Sequence, residues 1–250
     1  MTGRIGHLIE TKVRRSGALW AAVLLCGAAL PSSSIAASLG GAYFIDDADI
    51  EPVGNCEIEH WASFAANSDR VLVSNPACVF NLGRPIELGA TVIRSRSDGV
   101  WDTTVAATAK TVLKETGGHG WGYAVSGAVT YDVTTGVTNG LIVNVPISYD
   151  FNKDLRVNFN TGWIYDPSRG QHFLTGGAGF AWTFKEPLSL LGEVFYVVGP
   201  GEANPRAQIG LRYNPVKSVD LDLIYGHNIT GEHSSWITLG LSFRTGKEKD

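Results

Sequence analysis

From about Cys56 to Phe243 the chain alternates apolar and polar positions with a period of two. Trp121, Tyr123, Val125, Val129, Tyr131 and Val133 share one face, while Gly122, Ala124, Ser126, Ala128, Thr130 and Asp132 share the other. Side chains of a β-strand point alternately to its two faces, so this stretch predicts a strand with one apolar and one small-polar face. Trp101, Val105, Ala107, Ala109 and Leu113 stand likewise against Asp102, Thr104, Thr108 and Lys110, and Leu155, Val157, Phe159, Trp163 and Tyr165 against Arg156, Asn158, Asn160 and Gly162. Three later runs repeat the pattern: Ala207 to Tyr213, Val219 to Tyr225 and Ile237 to Phe243.

Turn residues divide these runs into two alternating kinds of connection. Gly83-Arg84-Pro85, Asn152-Lys153-Asp154, Lys185-Glu186-Pro187 and Asn214-Pro215-Val216-Lys217 are short, whereas Ser95–Gly99, Asp132–Gly140, Asp166–Gln171, Gly199–Arg206 and His227–Ser234 are longer and polar. Gly, Pro, Asn and Asp supply the backbone geometry that turns require. Short turns at one end and longer loops at the other is the layout of bacterial outer-membrane barrels, which use even strand numbers; about twelve strands fit here. The expected fold is all-β: a single antiparallel transmembrane β-barrel with short periplasmic turns, longer extracellular loops and both termini on the periplasmic side.

A soluble sandwich or barrel would alternate too. A water-facing surface, however, is normally rich in Lys and Glu. Here the polar face is mostly Gly, Ala, Ser, Thr and Asn, and only 18% of all residues are charged, with 30 glycines among 250. Aromatic residues gather near the strand ends of the apolar face, as in Trp101, Trp121, Tyr149, Phe151, Trp163, Tyr165, Trp182 and Phe243, which is how interfacial girdles are built. Glycine at this frequency argues against a helical protein. The net charge of −4 offers no basic field for nucleic acid.

The first 36 residues read as an address. Arg4, Lys12, Arg14 and Arg15 precede the apolar run Ala18–Leu30, and Ser34-Ile35-Ala36 is a plausible cleavage site, the plan of a secretory signal peptide. Removing that segment takes away four of the 20 basic and one of the 24 acidic residues, leaving a net charge of −7. The expected organisation is a signal peptide over 1–36, a periplasmic N-terminal segment over 37–55, a barrel over 56–243 and a C-terminal tail over 244–250, in the outer membrane of a Gram-negative bacterium.

The stretch Gly41-Ala42-Tyr43-Phe44-Ile45-Asp46-Asp47-Ala48 and the strand Cys56-Glu57-Ile58-Glu59-His60-Trp61 resemble a family of outer-membrane β-barrels assigned to the MetA pathway of phenol degradation, or to transport. As a motif the likeness covers that N-terminal stretch, and as a pattern most of the chain from there on. It implies uptake or handling of small aromatic compounds and brings no catalytic residues with it.

Hairpin partners keep a constant sum of residue numbers, and Cys56 and Cys78 centre a hairpin on the turn Asn67-Ser68-Asp69. They would face each other across the first two strands, and the oxidising periplasm allows a disulfide, the alternative being two free thiols. Arg156, Glu193, Arg212, Asp220 and Asp222 fall on the polar face of later strands. Two readings stand open for them: a lumen lining that selects solutes by charge, or a paired internal ladder that fills a narrow barrel. Glu57, Glu59 and Trp61 share one face of the first strand, which turns His60 outward with Ile58.

Chemistry is sparse. No metal-ligand spacing occurs, and no cofactor is called for. Gly176-Gly177-Ala178-Gly179 has no helix after it and reads as barrel interior, not as a phosphate loop. His233-x-Ser235 has the two-residue spacing of a nucleophile and base on one strand face, which admits lipid hydrolysis as a further reading of a chain otherwise expected not to be an enzyme. The leading expectation is passive passage or uptake of small solutes, with a non-conducting barrel, plugged by side chains or by the segment 37–55, as the alternative. Expected partners are outer-membrane lipid, the barrel assembly machinery during biogenesis, and small solutes.

Overall fold

The computed structural model describes residues 42–230 and 234–246, with Glu202 described by its backbone alone. Thirteen strands run in chain order: β1 (Cys56–Ala65), β2 (Arg70–Asn81), β3 (Pro85–Ser97), β4 (Val100–Lys114), β5 (Gly120–Asp132), β6 (Val137–Asn152), β7 (Leu155–Asp166), β8 (Gln171–Lys185), β9 (Leu188–Gly199), β10 (Glu202–Ala203), β11 (Arg206–Val216), β12 (Val219–Asn228) and β13 (Ser235–Thr245). No helix occurs among the described residues. β10 is a two-residue ladder against β9 inside one connection. The other twelve form the wall, each antiparallel to its neighbours, and β13 returns to pair with β1 from Cys56↔Thr245 to Ala65↔Trp236. The ring therefore has no open edge, which is the condition for a sheet in hydrocarbon, where no water can satisfy a free N–H or C=O.

Polarity is inverted relative to a water-soluble protein. Large apolar residues stand exposed along the strands: Leu223 and Leu239 are each 54% exposed. Many of the buried residues are polar: Ser148 and Thr130 are 0% exposed, Thr238 and Asp220 1%. Burying polar groups while exposing leucines is favourable only where the outer solvent is lipid. Aromatic clusters ring both ends of the outer face. Trp121, Tyr149 and Phe151 stand together near one rim, and Trp163, Tyr165 and His172 stack near the other.

The described C-terminal end lies at one rim, here the terminal end, with the start of β1 and the connections 82–84, 115–119, 153–154, 186–187 and 217–218, whereas Ala42 lies inside the barrel. The opposite rim carries 66–69, 98–99, 133–136, 167–170, 200–205 and the described residues 229, 230 and 234. The strands reach further into the loops than the turn residues suggest. β6, for instance, begins at Val137, inside the stretch Asp132–Gly140. β13 runs on through Thr245, so Arg244 and Thr245 belong to the wall and not to a tail. Cys56 and Cys78 are register partners on β1 and β2, joined by a disulfide with their Cα atoms 4.0 Å apart. The signal peptide expected over 1–36 lies outside the described residues.

The outward belt makes a quantitative prediction. Leu223→Arg, on the lipid face of β12, should destabilise the barrel by about 2–4 kcal/mol in urea titrations in lipid vesicles, as a cation at bilayer depth does. Thr238→Ser, which keeps the hydroxyl bonded to Ser63 and deletes one buried methyl on the inner face of β13, should cost about 0.5–1.5 kcal/mol.

Candidate functional site

The lumen is occupied by the chain's own N-terminal segment. Residues 42–55 enter from the terminal end and run along the inner wall ahead of β1. Three backbone bonds fix the root of this segment: Gly54 N–H donates to Val79 O, Val79 N–H to Asn55 O and Asn55 N–H to Pro52 O, each at 2.9 Å. The disulfide closes the first rung of β1 and β2 immediately beyond.

Deeper in, one carboxylate clasps the segment. The backbone N–H groups of Phe44 and Ile45 donate to Oε1 and Oε2 of Glu193, both at 2.9 Å, with Glu193 only 6% exposed. Gln208 Nε2 donates to the same Oε1 at 2.7 Å, and Trp236 Nε1 donates to Gln208 Oε1 at 3.0 Å. A side-chain relay thus runs from Trp236, near the loop rim, to the backbone of the inserted segment. Ala48 N–H donates to Ser148 Oγ, which in turn donates to Asn158 Oδ1.

Ion pairs hold the acidic side chains of the segment. Lys110 Nζ lies 2.8 Å from Asp46 Oδ1 and 3.6 Å from Asp47 Oδ1. Arg156 binds Asp49 and Asp150, and Arg244 binds Glu51, Glu57 and Asp220. Burial pushes the Asp46 carboxyl above the usual carboxylate range, against the pull of Lys110. At Asp47 burial acts the same way, but the charges of Lys110 and Arg156 outweigh it and hold the group low.

Apolar side chains of the segment complete two clusters. Ala42 and Tyr43 pack with Trp61, Val73, Ile93, Leu191 and Ile224. Phe44 and Ile45 pack with Ile142, Ile164, Phe173, Phe195 and Val197 nearer the loop rim, and Phe44 stacks on Phe195 with ring centroids 4.4 Å apart. Gly177 explains part of the glycine run of β8: a Cβ there would come within 2.8 Å of the Ile45 side chain and within 2.3 Å of the Val194 carbonyl. The run is thus a groove in the wall where the segment and β9 approach closely.

Below the segment, toward the terminal end, remains a cavity of about 550 Å³. Its lining holds eleven carboxylate residues, among them Asp46, Glu59 and Glu87, against five cationic ones, among them Lys110 and Arg212. Glu59 accepts from Asn75 Nδ2 at 2.8 Å, and Asn75 Oδ1 accepts from Thr91 Oγ1 at 2.8 Å. Glu59 and Glu87 have no ion-pair partner among the described residues. Two buried polar atoms of the segment, Tyr43 Oη and Asp46 Oδ2, have no hydrogen-bond partner, and both residues line the cavity.

The five charged residues picked out in the sequence all point inward, but not to one place. Arg212 bridges Asp222 at 2.8 Å and Asp220 at 3.4 Å, the ladder arrangement. Arg156 and Glu193 serve the inserted segment. Lys110 and Arg244 went unselected, although a lone lysine on a small-polar strand face was a visible signal. His60 is exposed on the outer face, and Ser235 opens β13 opposite His227, while its proposed partner His233 lies outside the described residues.

A closed twelve-strand antiparallel barrel with an apolar exterior is the architecture of outer-membrane porins. The chain belongs to the family of uncharacterised conserved protein UCP029691, whose sequence model matches residues 27–245. No curated protein matches the sequence. Among solved structures, the KdgM porin in complex with disordered oligogalacturonate is similar at 14% identity over 75% of this chain and 98% of that one, with a TM-score of 0.58. The NanC porin is similar at 10% identity over 74% and 98%, with a TM-score of 0.59. The COG4313 outer membrane channel from Pseudomonas putida F1 is similar at 14% identity over 80% and 98%, with a TM-score of 0.50. These likenesses concern the fold, and none of these names carries the phenol-degradation assignment.

Glu193→Ala removes the acceptor of both segment amides. Hydrogen exchange should show protection lost at Phe44 and Ile45, while the wall amides of β8 and β11 stay protected.

Proposed function

We propose that this protein is an outer-membrane channel for small solutes whose lumen is closed at rest by its own segment 42–55. The observation that carries the reading is the clasp of Glu193 on the Phe44 and Ile45 amides: a wall residue, buried in a polar lumen, binds main chain that is not part of the wall. The segment is held by this clasp, by ion pairs and by two apolar clusters, none of which belongs to the backbone ladder that closes the wall. The likeness in fold to porins and channels supports passage as the purpose of the lumen. The short-turn rim with both termini then faces the periplasm, residues 1–36 are an export signal removed at the membrane, the apolar belt meets outer-membrane lipid, and the barrel assembly machinery inserts the chain.

The resemblance to phenol-degradation barrels suggests small aromatic solutes, and the stacked Phe44 and Phe195 give such rings an apolar face at the closing layer. The oligogalacturonate bound by the KdgM porin is a polyanion, and the carboxylate excess of this lumen disfavours an anionic cargo.

Planar-bilayer recording tests the reading. The wild type should show rare openings, and Lys110→Met with Arg156→Met, which uncouples Asp46 and Asp49, should raise the fraction of time spent open at least tenfold, in discrete, voltage-stable steps. Silence from both, with folding shown by heat-modifiable gel mobility, would instead make this a non-conducting binding barrel.

A further inference from the structure

We propose that the cavity at the terminal end is a binding site for organic cations, namely primary amines and diamines, with Glu59 and Glu87 as charge partners and the Tyr43 hydroxyl as a neutral partner. It rests on the reading of the lumen as a solute path and adds to that reading the charge the solute carries.

Charge balance is the first argument. Each of the five cations lining the cavity has an acidic partner: Lys110 takes Asp46 and Asp47, Lys153 takes Asp154, Arg156 takes Asp47, Asp49 and Asp150, Arg212 takes Asp220, and Arg244 takes Glu51, Glu57 and Asp220. Glu59, Glu87 and Glu193 are left over, and of these Glu193 is already taken by the Phe44 and Ile45 amides and Gln208. Lys110 stands opposite Glu87 across the β3–β4 ladder, but its ammonium is turned to Asp46. The low-dielectric wall focuses the field of uncompensated carboxylates into the lumen and raises the local concentration of cations.

Unmade hydrogen bonds are the second argument. A buried hydroxyl or carboxylate oxygen without a partner is costly, and buried polar atoms are normally satisfied. Tyr43 is 5% exposed and Asp46 2% exposed, yet Tyr43 Oη and Asp46 Oδ2 are unpartnered beside this cavity. A primary ammonium brings three donors and no acceptor, which complements a lining of carboxylate oxygens and a phenolic oxygen. A carboxylate or phosphate ligand would add acceptors to a site that already has them in excess.

Size is the third argument. About 550 Å³ lies within the range of pockets that enclose small organic molecules and is too large for a single bare ion to fill. No group of three or more metal-ligating side chains gathers among the described residues.

Isothermal titration calorimetry of the folded protein in detergent micelles tests this, with 1,4-diaminobutane as probe and 1,4-butanediol and butanedioate as neutral and anionic counterparts. Saturable binding of the diamine is expected, weakening as salt is added, with no binding of either counterpart. Glu59→Gln with Glu87→Gln should weaken the diamine at least tenfold, whereas Asp98→Asn, in the opposite rim, should leave it unchanged. Circular dichroism and heat-modifiable mobility establish that each variant is folded. Diamine and diol binding equally, or the glutamine double variant binding the diamine as well as wild type, overturns the proposal. Calorimetry does not require passage, so the two readings fail separately. A barrel that binds the diamine and never conducts keeps the site and loses the channel, and one that conducts but does not distinguish diamine from diol keeps the channel and loses the site.

Discussion

The pairing of β13 with β1 is the constraint on which the rest of the molecule depends. Without the ladder from Cys56↔Thr245 to Ala65↔Trp236 the sheet would present two rows of free N–H and C=O groups to lipid, each costing several kcal/mol. Closure removes both rows and in the same step creates an interior. That interior cannot be lined as the outside is, because every strand must alternate. The apolar outer face thus imposes an inner face of small and polar residues, and those leave space to be filled.

This chain fills the space in two ways. Where wall side chains are large enough they fill the interior themselves, as Phe173, Phe195 and Val197 of the adjacent strands β8 and β9 do toward the loop rim. Where they are small or charged, residues 42–55 come in and supply the missing partners: amides for Glu193, carboxylates for Lys110 and Arg156, an aromatic ring for Phe195. The fit is tight around Phe44 and Ile45 and loose below Asp46, where the acidic cavity remains. The same segment therefore fills the lumen above and roofs the acidic cavity beneath.

The barrel was legible in the sequence because its cause is local. Alternation along β5 or β12 needs no knowledge of neighbours, and the Cys56–Cys78 rung follows from one turn and the arithmetic of a hairpin. Strand limits were less legible, since β6 continues through residues with turn character once β5 and β7 provide partners. The interior partnerships were the least legible. Arg156 and Glu193 could be placed on the inner face from their parity alone, but their partners Asp49 and the Phe44 amide are more than a hundred positions away and lie on a stretch with no period at all. Lys110 and Arg244 were passed over for the same reason. One looked like an isolated polar residue and the other like the start of a tail, and only the closed ring brings each beside its acids.

The relay from Trp236 through Gln208 to Glu193 ties the two mouths of the barrel together. Gln208 gives its N–H to the very oxygen that receives the Phe44 amide, so a shift of Trp236 that draws Gln208 away strips a donor from the carboxylate holding the segment. Three side chains thus link the loop rim to a segment whose root is fastened at the opposite rim, so a displacement of the indole at one mouth bears on the closure rooted at the other.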